Sequence, residues 1–513
     1  MRTEQKTNVK NSVGRLIFVL LAFMFQVSWF VALFRWLHNY STALNLIFSA
    51  LTFVLVLYIY GRQSNAAFKM PWIILILVLP VLGVCLYVLF GHREATRTMR
   101  RRFEEIDPAL LKELTQEPEV MKALEDLDFG VANQCRYLQR YSQYPVYQNT
   151  DVTFYSEASD AFEAQLQELA RAKKFIFLEY HAIQEAESFE RMKNVLAERV
   201  AAGVEVRILY DDVGSIGFID PGFIKRMEAI GVQCRMFNPV KPVMNIFMNN
   251  RDHRKITVID NVTGFTGGYN LADEYFNLVH PYGYWKDTGV KVVGDAVESF
   301  TVMFLEMWNA MKKTDRDTTK YMTHSTYKAV EQGFINPYAD SPLDGEYVGE
   351  NVYLNLIKHA KHYLYVMTPY LIISDEMNRE LTLAAQRGVD VRIITPGIPD
   401  KKIIYRVTRS YYNGLVRKGV RIYEYTPGFL HAKQVICDGE VATVGTINFD
   451  YRSLYHHFEN GVLLYKFQCI NKIREDFNQV LASSTEVTEK YHTGRKIPLR
   501  IGQCFLRLFA PLM

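Results

Sequence analysis

One short pattern occurs twice in this chain. His253, Lys255 and Asp260 stand in HRKITVID and are followed by Gly267, Gly268 and Asn270 in GGYN. His431, Lys433 and Asp438 stand in HAKQVICD and are followed by Gly445, Thr446 and Asn448 in GTIN. Both read H-x-K-x4-D-x6-G-[GT]-x-N. A single H-x-K-x4-D arises by chance in roughly one chain in ten of this size; two copies, each completed by glycine and asparagine, do not. The surroundings repeat as well. Gly203–Ile208 (GVEVRI) is answered by Gly388–Ile393 (GVDVRI), and Gly231-Val232 by Gly419-Val420. Ala172-Lys173 leads into FIFLEY as Ala360-Lys361 leads into YLYVMTPY. Each half reads as strands alternating with amphipathic helices, which predicts a sheet with helices on its faces. The repeat is far longer than the 20–45 residues of a solenoid unit, so it predicts a duplicated α/β domain. The halves are placed at 151–315 and 316–485, after a linker at 94–150 and before a basic amphipathic tail at 486–513.

The residue types point to phosphoryl chemistry. On a strand, His and Lys two apart share a face. Histidine supplies a nucleophile or proton donor near neutral pH, and lysine stabilises negative charge developing on phosphoryl oxygens. Asn270 and Asn448 are expected to bind the same oxygens, with glycine allowing close backbone approach. Two halves meeting face to face would gather two histidines, two lysines and two asparagines around one phosphate. One histidine would attack phosphorus while the other protonates the leaving alcohol, and the roles would then reverse. Asp287-Thr288-Gly289-Val290 and Glu459-Asn460-Gly461-Val462 form a matched pair, and Asp287 and Glu459 are expected to orient the imidazoles. The candidate catalytic set is thus His253, Lys255, Asp260, His431, Lys433 and Asp438. Within it, Asp260 and Asp438 lie an odd number of positions from the lysines, which turns them away and suggests a structural role.

The N-terminal part has a different character. Residues 16–34, 43–60 and 72–90 are apolar and uncharged, each within the length range of a membrane-spanning helix. No small-residue cleavage site follows the first, so it does not read as a signal peptide. Trp36 and Trp72 stand at segment edges. The mean hydropathy of −0.07 is therefore an average of lipid-soluble segments and a polar repeat. Arg93, Arg97, Arg100, Arg101 and Arg102 after the third segment argue for a cytoplasmic catalytic part, although three spans would then leave Arg2, Lys6, Lys10 and Arg15 outside. A net charge of +4 gives no support to nucleic-acid binding. Six scattered cysteines with no C-x-x-C exclude a zinc ribbon or a disulfide framework. No glycine-rich nucleotide loop precedes a helix, and neither metal nor other cofactor is expected.

Secondary candidates are weaker. His456-His457 lacks a carboxylate or cysteine at zinc spacing. Asp211-Asp212 reads as a backbone partner. Glu179 and His181 in FLEYH suit either a headgroup contact or a structural role. Lys401, Lys402, Arg406 and Arg409, interleaved with Tyr405, Tyr411 and Tyr412, suit either a second anionic headgroup or a solvated helix face. The basic, apolar stretch 496–513 suits the membrane interface.

The paired motifs resemble those of the phospholipase D superfamily. The N-terminal spans, with GRQSNAAFKMPWIILILVLPVLG around the last, and FLEYHAI, LYDDVGS and TRSYYNGLVRKGVRIYEY resemble its bacterial cardiolipin synthase branch. The resemblance implies two pseudo-symmetric α/β/α sandwich domains behind transmembrane helices. It also implies metal-free transfer of a phosphatidyl group between two phosphatidylglycerol molecules, with membrane phospholipids as partners and His253 as the nucleophile. The rivals are a phospholipase D or transferase using water or another alcohol, a nuclease, and an inactive membrane scaffold. The chain departs from that branch in its extra first span, since two are usual.

Overall fold

A computed structural model describes residues 42–63, 65–90, 97–240, 249–323 and 325–493, with scattered positions in 17–35 and 502–512. The sequence repeat is a repeat of topology. The first half forms a seven-stranded sheet in the order Thr150–Tyr155, Gly289–Gly294, Thr263–Gly267, Lys255–Ile259, Phe175–Tyr180, Glu205–Asp211, Gln233–Phe237. The second half repeats that order with Phe334–Asp340, His457–Tyr465, Val441–Gly445, Gln434–Cys437, Tyr363–Met367, Asp390–Pro396 and Arg421–Tyr425, then adds Ser484–Glu486 at its edge. In each sheet the two helix-linked crossovers are parallel and the strands that carry the motifs are antiparallel. The repeated Gly-Val pairs sit where helices end. Gly203, Gly231, Gly388 and Gly419 all have φ between 82° and 98°, a left-handed conformation that glycine adopts without a Cβ penalty.

Alternate strand residues divide between two layers, as the pleat requires. Phe175, Phe177, Ile256 and Val258 of the first sheet face the same central core as Ile436, Val444, Val462 and Leu464 of the second. Between the sheets lie helices Val297–Met311 and Cys469–Ala482. The first is buried along nearly its whole length, which accounts for its lack of a polar face. Ile176, Leu178, Ile208 and Leu196 belong to an outer core of the first half, and a matching outer core covers the second.

Two expectations are corrected. The segment 94–150 is not a linker, because its described part forms helices Arg97–Leu110, Pro118–Leu127 and Phe129–Tyr141. Phe103, Ile106 and Leu110 enter the central core, while Val120, Leu124 and Leu138 enter the outer core of the second half. Their spacing of three to four residues is an amphipathic helix pattern that binds this segment to both halves. The expected span 72–90 is not one helix. It breaks at Leu79 between helices Ala66–Val78 and Pro80–Phe90, which fold back on each other. Helix Thr42–Gly61 packs beside them. The expected span 16–34 and the tail 496–513 fall mostly outside the described residues, as do the side chains of residues 42–45. Among the described residues, no helix is long and apolar enough to cross a membrane.

Candidate active site

The two motifs come together at the junction of the sheets, and each is built the same way. His253 precedes the strand Lys255–Ile259, and its backbone is stitched to the other half. Arg251–Asp252 pairs in parallel with His457–Phe458, and the His253 N–H donates to the Phe458 carbonyl at 2.9 Å. The mirror arrangement holds His431. Gly428–Leu430 pairs in parallel with Tyr284–Lys286, and the His431 N–H donates to the Lys286 carbonyl at 2.7 Å. The residue after each accepting carbonyl is an acid, and it reaches the histidine so held. His253 Nδ1 lies 2.9 Å from both carboxylate oxygens of Glu459. His431 Nδ1 lies 2.6 Å from Asp287 Oδ2. The acids are therefore exchanged between the halves. Such a bond places the proton on Nδ1 and leaves Nε2 free for chemistry.

The lysines complete a compact, buried charge cluster. Lys255 Nζ donates to the His253 carbonyl at 2.6 Å, and Lys433 Nζ donates to the His431 carbonyl and lies 2.8 Å from His431 Nδ1. Burial lowers Lys255 to about 8 and Lys433 to about 7, each against the pull of Asp287 and Glu459. Burial and Lys433 lower His431 to about 4, and burial with Lys255 holds His253 well below the ordinary range. Burial raises Glu459 above the usual carboxylate range. Burial acts on Asp287 in the same direction, but His431 and Lys433 more than offset it and leave it lowered. The resting site thus holds two largely neutral imidazoles beside two lysines whose charged form burial disfavours. An anion entering it would restore the lysine charge.

The asymmetric GG and GT of the motifs now have a cause. A Cβ on Gly268 would sit 2.0 Å from Asp287 Oδ1, so only glycine leaves room for that carboxylate. At the matching position Thr446 donates its hydroxyl to Glu459 Oε2. Asn270 and Asn448 are both buried at the site. The Asn270 amide donates to the Tyr275 hydroxyl at 2.8 Å, whereas Asn448 Oδ1 has no hydrogen-bond partner. Asp260 and Asp438 leave the catalytic set. Each turns a hairpin at positive φ and accepts three backbone N–H bonds, Asp260 from residues 173–175 and Asp438 from residues 361–363. Asp260 lies five residues along its strand from Lys255, about 16 Å away at strand rise.

The remaining candidates separate cleanly. Glu179 is fully buried with neither oxygen hydrogen-bonded and the Arg254 charge nearby, so it does not face a headgroup. His181 does face the site, its ring centroid 5.0 Å from that of His253. Asp211 accepts from the backbone of Gly214 and Asp252 and pairs with Arg251 at 3.3 Å, a backbone role as expected. Arg409 forms two 2.8 Å bonds with Glu424, and Tyr411 and Tyr412 are core residues, which leaves only Lys401, Lys402 and Arg406 of that run exposed. The two adjacent histidines diverge. His456 Nε2 lies 3.1 Å from the Pro511 carbonyl, but His457 is in the site, neither ring nitrogen hydrogen-bonded. The expectation that no carboxylate or cysteine completes a ligand set with this pair is corrected by Glu459, whose Oε1 is 3.5 Å from His457 Nδ1. Among the described residues, His253, His457 and Glu459 are the one group of three side chains spaced to hold a metal ion. Tyr275, whose ring centroid is 5.3 Å from that of His431, and the seam bond from Asn460 to Thr266 escaped the sequence reading, because no local pattern marks them.

Comparison with known proteins is consistent across most of the chain. Residues 166–308 and 353–481 match the family model described as "Cardiolipin synthase, PLD-like domain", and residues 50–92 match "Phospholipase_D-nuclease N-terminal". A Streptococcus mutans protein described as uncharacterized is 41% identical over 89% of this chain and 99% of its own. A cardiolipin synthase of Oceanobacillus iheyensis is 33% identical over 90% of this chain and 98% of its own. The crystal structure of a phosphatidylserine synthase from Haemophilus influenzae covers 74% of this chain and 97% of its own with a TM-score of 0.55; at 15% identity it speaks for the fold alone.

Proposed function

Because this chain belongs to the cardiolipin synthase family of phospholipase D-like proteins, we propose that its paired site moves a phosphatidyl group from one phosphatidylglycerol to a hydroxyl of another, giving cardiolipin and glycerol. The observation that carries this reading is the crossed pairing of two histidines with two acids around two lysines in one buried cluster. His253 Nε2 attacks phosphorus and the P–O bond to the headgroup glycerol breaks. His431, which takes up a proton on Nε2 as the anionic phosphate enters beside it, gives that proton to the departing oxygen. A hydroxyl of the second phosphatidylglycerol then loses its proton to His431 and attacks phosphorus, and the P–N bond to His253 breaks. Lys255, Lys433, Asn270 and Asn448 hold the phosphoryl oxygens, and Glu459 and Asp287 keep each imidazole in its reactive tautomer. Asn448 Oδ1, His181 and His457 Nε2 offer hydrogen bonds to headgroup hydroxyls. The chemistry calls for no cofactor.

The apolar N-terminal segments suit anchorage in a bacterial cell membrane with the catalytic halves on the cytoplasmic side, where the exposed Arg97 and Arg101 suit anionic lipid. The test supplies phosphatidylglycerol to membranes containing the full chain and follows both products. Glycerol released in step with cardiolipin is expected. Phosphatidic acid as the dominant product would replace this reading with hydrolysis.

A further inference from the structure

We infer that residues 66–90 form a re-entrant hairpin that enters one leaflet and returns to the face it came from, rather than a third span. The inference rests on membrane anchorage proposed above. Leu79 has φ −130° and ψ 74°, outside the helical region, and Pro80 begins the next helix, where its missing N–H costs nothing. The chain then doubles back. The Trp72 and Tyr87 rings meet edge to face with centroids 5.3 Å apart, whereas in one straight helix fifteen residues would separate them by about 22 Å. A Cβ on Gly83 would lie 2.6 Å from the Ile76 Cα, so the two backbones touch at a point only glycine permits. Helices of 13 and 11 residues rise about 20 and 17 Å, short of the roughly 30 Å hydrocarbon core.

Both ends of the hairpin belong to the catalytic body. At the entering end, the Phe68 ring stands edge-on to Tyr451, Tyr455 and His456 at 5.1–5.7 Å, and Asn65 Nδ2 donates to the Tyr455 hydroxyl at 3.2 Å. At the leaving end, helix Arg97–Leu110 packs on Val297–Met311, with Arg102 donating to the Ala310 carbonyl at 3.0 Å. Two ends fixed to one soluble body lie on one side of a bilayer. The tip is apolar and exposed at Leu77, Val78 and Leu79, while the only charge of the segment, Lys69, is held at the base by the Tyr60 and Arg62 carbonyls. The occupant that suits this gradient is a lipid leaflet.

A hairpin that returns leaves Arg62, Lys69 and the arginines of 97–102 on one face of the bilayer, where a third span would have divided them.

Single-cysteine versions of the full chain decide the matter, with the native cysteines replaced and cardiolipin formation retained. Cysteines placed by Gln63→Cys and Arg101→Cys are labelled with a membrane-impermeant maleimide in spheroplasts and in inside-out vesicles. Residues 63 and 101 are expected to react in the same one of the two preparations and not in the other. Should Arg101→Cys abolish activity, Thr98→Cys takes its place. Residues 63 and 101 reacting from opposite faces would overturn the hairpin and leave the anchor standing. Release of the protein by an alkaline carbonate wash would instead overturn membrane anchorage itself.

Discussion

His253 Nδ1 lies 2.9 Å from the carboxylate of Glu459, a residue 206 positions away and in the other half of the repeat. Asp287 returns the contact to His431. Neither half holds a complete catalytic histidine, so a change in one half is felt chemically in the other. Glu459→Gln is expected to disable His253 and Asp287→Asn to disable His431. Each should lower kcat by about 10²–10⁴, the range supplied by positioned acid–base groups. Trapping experiments check the direction: a phosphoenzyme on His253 should fail to form in Glu459→Gln.

The glycine at 268 should be indispensable for the same reason. Gly268→Ala drives a methyl into Asp287 Oδ1 and displaces the acid from His431. A loss of activity close to that of Asp287→Asn is expected, with little change in Tm. Thr446→Ala, at the matching position, removes one hydrogen bond to Glu459 and should cost less. Steady-state kinetics on both variants reads the asymmetry directly.

Asp260 and Asp438 should separate stability from chemistry. Each carboxylate ties three backbone N–H groups at the far end of its sheet. Asp260→Ala should destabilise the chain by about 1–2 kcal/mol, as when a charged acceptor of several partly solvated backbone donors is lost. Activity per folded molecule should persist. Thermal unfolding alongside specific activity at 20 °C below Tm tests this, and a dead but fully stable variant would return Asp260 to the catalytic set.

Acid should weaken the fold through His431. Its folded value of about 4 lies below the unfolded value near 6.5. Between those two pH values the unfolded chain binds the extra proton. Stability is therefore complete above about 6.5 and declines as the pH falls towards 4, by roughly 3 kcal/mol from this group. Urea unfolding of the full chain in detergent at pH 7 and 4.5 should show His431→Gln losing about 2–3 kcal/mol less than the parent across that interval.

His457 should act on the alcohol more than on the phosphate. Its ring nitrogens are buried beside His253 without hydrogen bonds of their own. His457→Phe is expected to raise KM for glycerol, measured in the reverse reaction with cardiolipin, by about tenfold or more, as loss of a hydrogen bond to a substrate hydroxyl does. Its kcat should change less. An unchanged KM with collapsed kcat would make His457 a support for Glu459 instead.

Much of this was legible in the residues themselves. The two-residue spacing of His and Lys forecast a shared face, although the histidines and Lys433 stand just ahead of the strands Lys255–Ile259 and Gln434–Cys437 rather than on them, and the aspartates sit in the turns beyond those strands. The acids were legible as a pair, but their exchange was not, because it is set by which strand end abuts which in space. The helices of 97–141 were written in an ordinary amphipathic pattern that the attraction of a domain boundary concealed. Pro80 was visible inside an apolar run, but whether a proline bends a helix or reverses it depends on contacts such as Gly83 against Ile76, which lie seven residues apart in sequence. His457 was obscured by its neighbour, since a dipeptide does not say that His456 closes a helix while His457 opens the strand beside the site.

The two short parallel strand pairs have a mechanical consequence. Arg251–Asp252 with His457–Phe458, and Gly428–Leu430 with Tyr284–Lys286, act as rivets placed beside the two reactive side chains. A hinge that parted the halves would have to shear both before it widened the cleft at all. Parting the halves beside the reactive side chains therefore breaks backbone ladders at two points at once, so the two histidines keep their spacing for as long as both rivets hold.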